Sequence, residues 1–201
     1  MNVENIVIFG VGAAGSNIFL NLLYAYPAIN FTVVDFDKVE NRNIGPGTQP
    51  YSKADINRPK VQALQRIAFM NKQKKIEAVS KKIESVKDIE VLVSNPSKTL
   101  IVDAFDNSKS RNIFLKLNKK YNVLHVGFSA NLAGEAAWNE VFEPMTESKS
   151  DAEIDVCEMS IARPFIMSLT GFASIVVSKF LENNEKVNLY MDKDFSCKKY
   201  N

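Results

Sequence analysis

Four stretches of this chain have the residue types and spacing to handle a nucleotide. The first is Gly10, Gly12 and Gly15, in the order G-x-G-x-x-G. Such glycines permit a tight turn and a close backbone approach, and a helix opening there would aim unpaired N–H groups at a phosphate. The second is Asp35, Asp37, Val39, Glu40 and Asn43, running into Gly45-Pro46-Gly47. Asp35 lies twenty residues beyond Gly15, where a carboxylate can accept bonds from ribose hydroxyls. The third is Asp55-Ile56-Asn57-Arg58-Pro59-Lys60, in which a proline opening a helix fixes a lysine in the first turn. The fourth is Asp103-Ala104-Phe105-Asp106-Asn107 with Arg111 further on.

The glycine turn and Asp35 alone suit an NAD-dependent oxidoreductase as well as anything else. A lysine and a further acid on the same rim suit a triphosphate with a divalent ion. Lys60 would neutralise phosphate charge, and Asp106 would hold Mg²⁺, which takes oxygen ligands and keeps several waters. Each has a bland alternative: Lys60 as a solvated lysine at a helix end, Asp106 as the cap of the helix that follows. Met together, in order and on one rim, they favour ATP with Mg²⁺.

The elements that must position these residues alternate. Asn5 to Gly10 is a short apolar run ending in glycine, as in a strand buried on both faces. A helix is expected from about Ala14 to Tyr26, a strand over Phe31 to Asp35 and a helix from Arg58 to Asn71. Thr99 to Asp103 reads as a strand, Ser108 to Lys120 as a helix and Asn122 to Gly127 as a strand. This rhythm predicts an α/β fold, a doubly wound Rossmann-like and mostly parallel sheet whose loops meet the ligand at the carboxyl edge. Beyond Gly127 the pattern changes. Glu135 to Glu143 alternates like an antiparallel strand, Glu143 to Asp155 is a polar crossover, and Pro164 to about Leu181 is a long apolar helix. Val187 to Met191 is a last strand, so antiparallel strands are expected in the C-terminal part. Residues 1–191 form a single nucleotide-binding domain, and 192–201 a frayed tail or short surface extension.

Composition supplies bounds. A chain of 201 residues, 46% hydrophobic, suits one well-buried domain. A net charge of +2 from 25 basic and 23 acidic residues offers no general attraction to nucleic acid or membrane. The apolar run Pro164 to Val177 is shorter than the ~20 residues a bilayer requires. The opening residues carry no secretion pattern, and a cytoplasmic location is expected. Cys157 and Cys197 lie forty residues apart with one His125, too few for a cysteine-type zinc site. His125 reads as a packed residue with a satisfied hydrogen bond, Trp138 as core or interface, and Cys197 as incidental.

In these motifs the chain resembles the ThiF-type family: the activating enzymes of ubiquitin and ubiquitin-like proteins, with bacterial relatives in thiamin, molybdopterin and tRNA modification. The shared run is G-x-G-x-x-G, D-x-D-x-V-E, an asparagine, D-I-G-x-P-K with Asn57 in the glycine's place, and D-x-x-D-N with its arginine, from Ile6 to about Arg111. The resemblance implies binding of ATP with Mg²⁺ and transfer of AMP to a carboxylate, often that of the C-terminal glycine of a small protein, by a homodimer. By carry-over Gly12, within the nucleotide-binding turn it forms with Gly10 and Gly15, would approach the phosphates, as would Asn43 and Lys60. Asp35, Asp37 and Asn107 complete the nucleotide site, and Asp106 takes the metal. A small protein or peptide with a C-terminal carboxylate is the implied partner.

Two departures stand out. The arginine that follows the asparagine in the family is absent, because Ile44 leads into Gly45-Pro46-Gly47-Thr48 before Gln49. The chain also starts directly at its first strand, whereas family members often begin with a helical segment that lends an arginine to the partner subunit. Arg42 is a candidate replacement. Cys157 lies where several relatives place an acyl- or sulfur-accepting thiol, although Asp155 and Glu158 beside it would raise its pKa. Two other readings follow: a catalytically reduced, nucleotide-responsive binding module of the same fold, and the NAD-dependent oxidoreductase.

Overall fold

The computed structural model describes residues 3–143 and 159–200. Its centre is one eight-stranded sheet in the order β3-β2-β1-β4-β5-β6-β7-β8. The strands are β1 (Asn5–Phe9), β2 (Asn30–Val34), β3 (Glu77–Val79), β4 (Thr99–Asp103), β5 (Asn122–Phe128), β6 (Gly134–Trp138), β7 (Asn188–Met191) and β8 (Cys197–Tyr200). The first five run parallel and the last three pair antiparallel. Because β1 lies between β2 and β4, the chain leaves it in one direction and later returns on its other side. The crevice at the carboxyl end of β1 is therefore the topological switch point, where such sheets bind ligands.

The helices are α1 (Ala13–Ala25), α2 (Lys60–Lys72), α3 (Val86–Leu92), α4 (Ser108–Phe114) and α5 (Ala162–Asn183). Both sheet faces are covered, as the alternation in β1 requires. Ile6 and Ile8 point into a core with Phe19, Leu22, Leu64, Phe165 and Phe180 from α1, α2 and α5. Val7 and Phe9 point into a second core with Ile89, Ile113 and Phe114 from α3 and α4. Each large apolar side chain so buried contributes about 1.5–3 kcal/mol.

Several elements depart from the sequence reading. The expected helix over 108–120 ends at Phe114, because Leu117 turns into the core and the Asn118 side chain accepts the Lys120 N–H at 3.1 Å. The strand expected over 135–143 stops at Trp138, whose carbonyl takes the N–H groups of Val141 and Phe142 at 2.9 and 3.0 Å. The C-terminal stretch, expected to be a frayed tail or a short surface extension, forms the edge strand β8 against β7. β3 has only three residues and shows no periodicity to read. α3 is opened by a reciprocal cap between Ser85 and Asp88. α5 is longer than expected, at 22 residues, and is apolar and long enough by composition to cross a bilayer. Its Phe165, Ile166, Leu169, Ala173, Val176, Val177 and Phe180 are buried against the sheet and α1.

The candidate nucleotide site

The glycine turn joins β1 to α1 and depends on missing side chains. Gly10 has φ +80, and a Cβ there would meet the Ala104 carbonyl oxygen at 2.8 Å. A Cβ on Gly15 would lie 1.9 Å from the Gly10 carbonyl oxygen. The turn is thus pressed between the first turn of α1 and the loop after β4. At Gly12 the situation reverses, since among the described residues a Cβ would meet nothing within 4 Å. Gly12 is the N-cap of α1 and offers no side-chain cap, so the helix start faces open space with its N–H groups. That is a cradle for an anion.

Asp35 braces the turn from below. Its Oδ2 accepts the Val11 N–H and its Oδ1 the Asp37 N–H, both at 2.8 Å, and the residue is buried. Burial pushes the carboxyl above its ordinary pKa, with Lys60 and these two backbone bonds pulling the other way. Lys60 is brought in by a short crossing of two loops. Val39 N–H bonds Arg58 O, Asn57 N–H bonds Val39 O, and Lys60 N–H bonds Asp37 O, each at 2.9 Å. Asn57 takes the left-handed φ of 68 that the crossing demands and that asparagine tolerates. The result is a buried Lys60 whose Nζ lies 3.0 Å from Asp37 Oδ2.

Asn43 is buried and caps a short 3-10 turn, its Oδ1 accepting the Glu40 N–H at 2.8 Å. Arg42, beside it, is exposed and ion-paired with Glu40 at 2.7 Å. Asp106 stands exposed at the rim, on the loop whose Ala104 presses on Gly10. Asn107 caps α4 through the Ser110 N–H at 2.8 Å, so the cap considered for Asp106 is made by its neighbour. Arg111 fixes this loop to β5, donating to the carbonyls of Phe105 at 2.7 Å and Val126 at 2.8 Å. Cys157 lies outside the described residues.

Three residues reach the site that no local pattern announced. The Tyr51 hydroxyl donates to the Val11 carbonyl at 2.6 Å from a buried position. Asn17 in α1 donates to the Thr48 carbonyl at 2.7 Å. Arg163 in the first turn of α5 donates to the Gly47 carbonyl. Their partners lie 40, 31 and 116 residues away along the chain. His125, by contrast, is the satisfied core residue its sequence position implied, held by Asp103 and Asn139 at 2.8 Å each and stacked on Phe142.

Beside the turn lies a cavity of about 240 Å³ lined by Phe36, Ile83, Phe105, Asn107 and the stems of Lys82 and Lys109. It opens at the carboxyl ends of β2 and β4, next to Asp35. A larger groove of about 630 Å³ lies along α2 and β3, lined by Arg58, Arg66, Phe69, Lys74, Lys75 and Ile76, with none of the turn's glycines among its lining. The smaller cavity is the one that belongs to the site. Among the described residues no three acids, histidines or cysteines gather into a metal cage. A single rim carboxylate such as Asp106 fits Mg²⁺ brought in on phosphate oxygens, its usual mode.

Comparison with known proteins gives a consistent picture. The family model for the ThiF family matches residues 2–192. No curated protein matches by sequence. Among solved structures, E. coli MccB with succinimide is similar, with TM-score 0.75 and 15% identity over 98% of this chain and 63% of that one. E. coli MccB with AMPCPP and MccA gives TM-score 0.74 and 16% identity, again over 98% and 63%. PaaA gives 0.73 and 19%, with the same coverage. The chain therefore spans about 63% of the length of these proteins. At such identities the likeness is one of fold.

Proposed function

The chain belongs to the ThiF family, and on that footing we propose that it is an ATP-dependent adenylyltransferase transferring AMP to a carboxylate, that of a protein or peptide C-terminus. The observation that carries this reading is the buried Lys60, its Nζ 3.0 Å from Asp37, beside an Asp35 that is itself bonded to the glycine turn. A lysine there suits the greater charge of a triphosphate. The solved complexes of E. coli MccB with ATP and with AMPCPP and MccA support a nucleotide and an acceptor at this fold's site.

In this reading Phe36, Ile83 and Phe105 wall the base and Asp35 accepts from the ribose. The open start of α1 at Gly12 receives phosphate, together with Asn43 and Lys60. Asp106 would hold Mg²⁺, which when bound offsets phosphate charge. The acceptor carboxylate oxygen attacks the α-phosphorus, the bond from that phosphorus to the bridging oxygen of pyrophosphate breaks, and pyrophosphate leaves with the electron pair. A homodimer is part of the proposal, as is the cytoplasmic location.

Isotope exchange of pyrophosphate into ATP, with a candidate acceptor peptide present, tests the reaction. Exchange is expected from the native chain, and Lys60→Ala should lower it at least ~100-fold, the scale on which lost charge stabilisation registers in transfer chemistry. The second reading, a nucleotide-responsive binding module, is favoured by the arginine missing between Ile44 and Gln49. ATP binding without exchange, with Lys60→Ala abolishing partner association, would establish it instead.

A further inference from the structure

The loop Gly45–Gln49 holds the place where the sequence lacks its cation, and the structure shows what stands against it. Arg163 donates to the Gly47 carbonyl from α5. The height of Arg163 above the sheet follows from how α5 packs. α1 and α5 lie side by side and run in the same direction. Asn21 bonds the Thr170 carbonyl and the Ser174 hydroxyl at sequence separations of 149 and 153, and Tyr26 bonds Glu182 at 156. Carried back along both helices, the first two separations put Arg163 level with the start of α1 at Ala13 and Ala14 and the residues just before it, among them Gly12, the one glycine of the turn with open space beside it among the described residues. The loop is the bridge between the two helices, since Asn17 of α1 holds the Thr48 carbonyl while Arg163 holds that of Gly47.

We propose that Arg163 binds the β- and γ-phosphates of ATP, supplying from α5 the positive charge that the loop after Asn43 does not carry. This rests on the adenylation reading. The two arginines near the loop differ in their partners. Arg42 is exposed and holds a carboxylate, Glu40, at 2.7 Å. Arg163 meets a neutral carbonyl, which orients the guanidinium and leaves its charge in place. One carbonyl uses one of five N–H donors, and the planar fork matches phosphate oxygens. The same loop buries Thr48 Oγ1 and Gln49 Oε1 without a hydrogen-bond partner among the described residues, which leaves these two side-chain oxygens able to take a further partner. When the α-phosphorus bond to the bridging oxygen breaks, the electron pair goes to pyrophosphate, and Arg163 faces that growing charge.

Titration calorimetry with AMPCPP and Mg²⁺, and separately with AMP, tests this on the full chain. Arg163→Ala should weaken AMPCPP binding by roughly 10- to 100-fold, the range for a hydrogen-bonded charge, and change AMP binding by less than about threefold. Arg163→Gln keeps a donor for Gly47 and removes the charge; it should lose AMPCPP affinity to a similar degree and guards against a loop that collapses in the alanine variant. If either folded variant binds AMPCPP as tightly as the native chain, or loses AMP equally, the assignment of Arg163 is overturned. If the native chain binds neither nucleotide, the adenylation reading itself fails and takes this one with it.

Discussion

Tyr51 holds the glycine turn through one hydroxyl, donated to the Val11 carbonyl at 2.6 Å in a buried setting. Burial, with Asp35, Asp55 and Asp37 adding to it, pushes the phenol well above its ordinary pKa of 10.0. A folded value raised in this way gives a contribution that is whole below 10.0 and lost as pH rises through the folded value. Tyr51→Phe removes the bond and leaves a buried carbonyl without its donor, costing about 1–2 kcal/mol at neutral pH. Urea unfolding of both proteins at neutral pH and again at about pH 11 should show that gap narrowing in alkali. A gap that stays constant would mean that the phenol does not titrate differently on folding.

At the scale of elements, one side chain ties β6, β7 and β8 together beside their ladders. Asn188 at the start of β7 accepts the Trp138 N–H at 3.0 Å, just past the end of the β6–β7 ladder, and donates to the Tyr200 carbonyl on β8 at 3.3 Å. Trp138 is buried against Phe180 of α5, with ring centroids 4.6 Å apart. Asn188→Ala should therefore cost about 1–3 kcal/mol by leaving a buried N–H unpaired. The denaturation midpoint should fall with its slope unchanged. Unaltered stability would show that β8 and the end of β6 are held by other means.

For the whole molecule, the consequence of the topology is one rim. β1, β2 and β4 are parallel neighbours, and the loops at their carboxyl ends carry the glycine turn, Asp35 with Asp37, and Asp106. α2 adds Lys60 and α5 adds Arg163 to the same edge. A ligand bridging these parts stabilises the whole chain by linkage, about 2.7 kcal/mol at a hundredfold excess over its dissociation constant. For a chain of 201 residues that is a melting-point rise of roughly 5–10 °C. ATP with Mg²⁺ should produce it, and NAD without metal should not; equal shifts would restore the oxidoreductase reading.

The sequence by itself determined strands β1, β2, β4, β5, β6 and β7 in outline and the carboxyl edge where their loops gather, because these rest on local spacing and strand burial, and it singled out the ordered set Gly10 to Gly15, Asp35, Asp37, Lys60 and Asp106 as candidates. It also placed His125 in the core, since a lone histidine within an apolar strand has one ready use. It did not yield β3, β8 or the early end of α4, where three- and four-residue strands and a side-chain-capped turn leave no period to read. Tertiary structure alone decided that Tyr51, Asn17 and Arg163 meet the glycine turn and its loop. Those contacts arise from parallel packing of α1 on α5 and from a loop folding back over the turn, and no spacing along the chain encodes either.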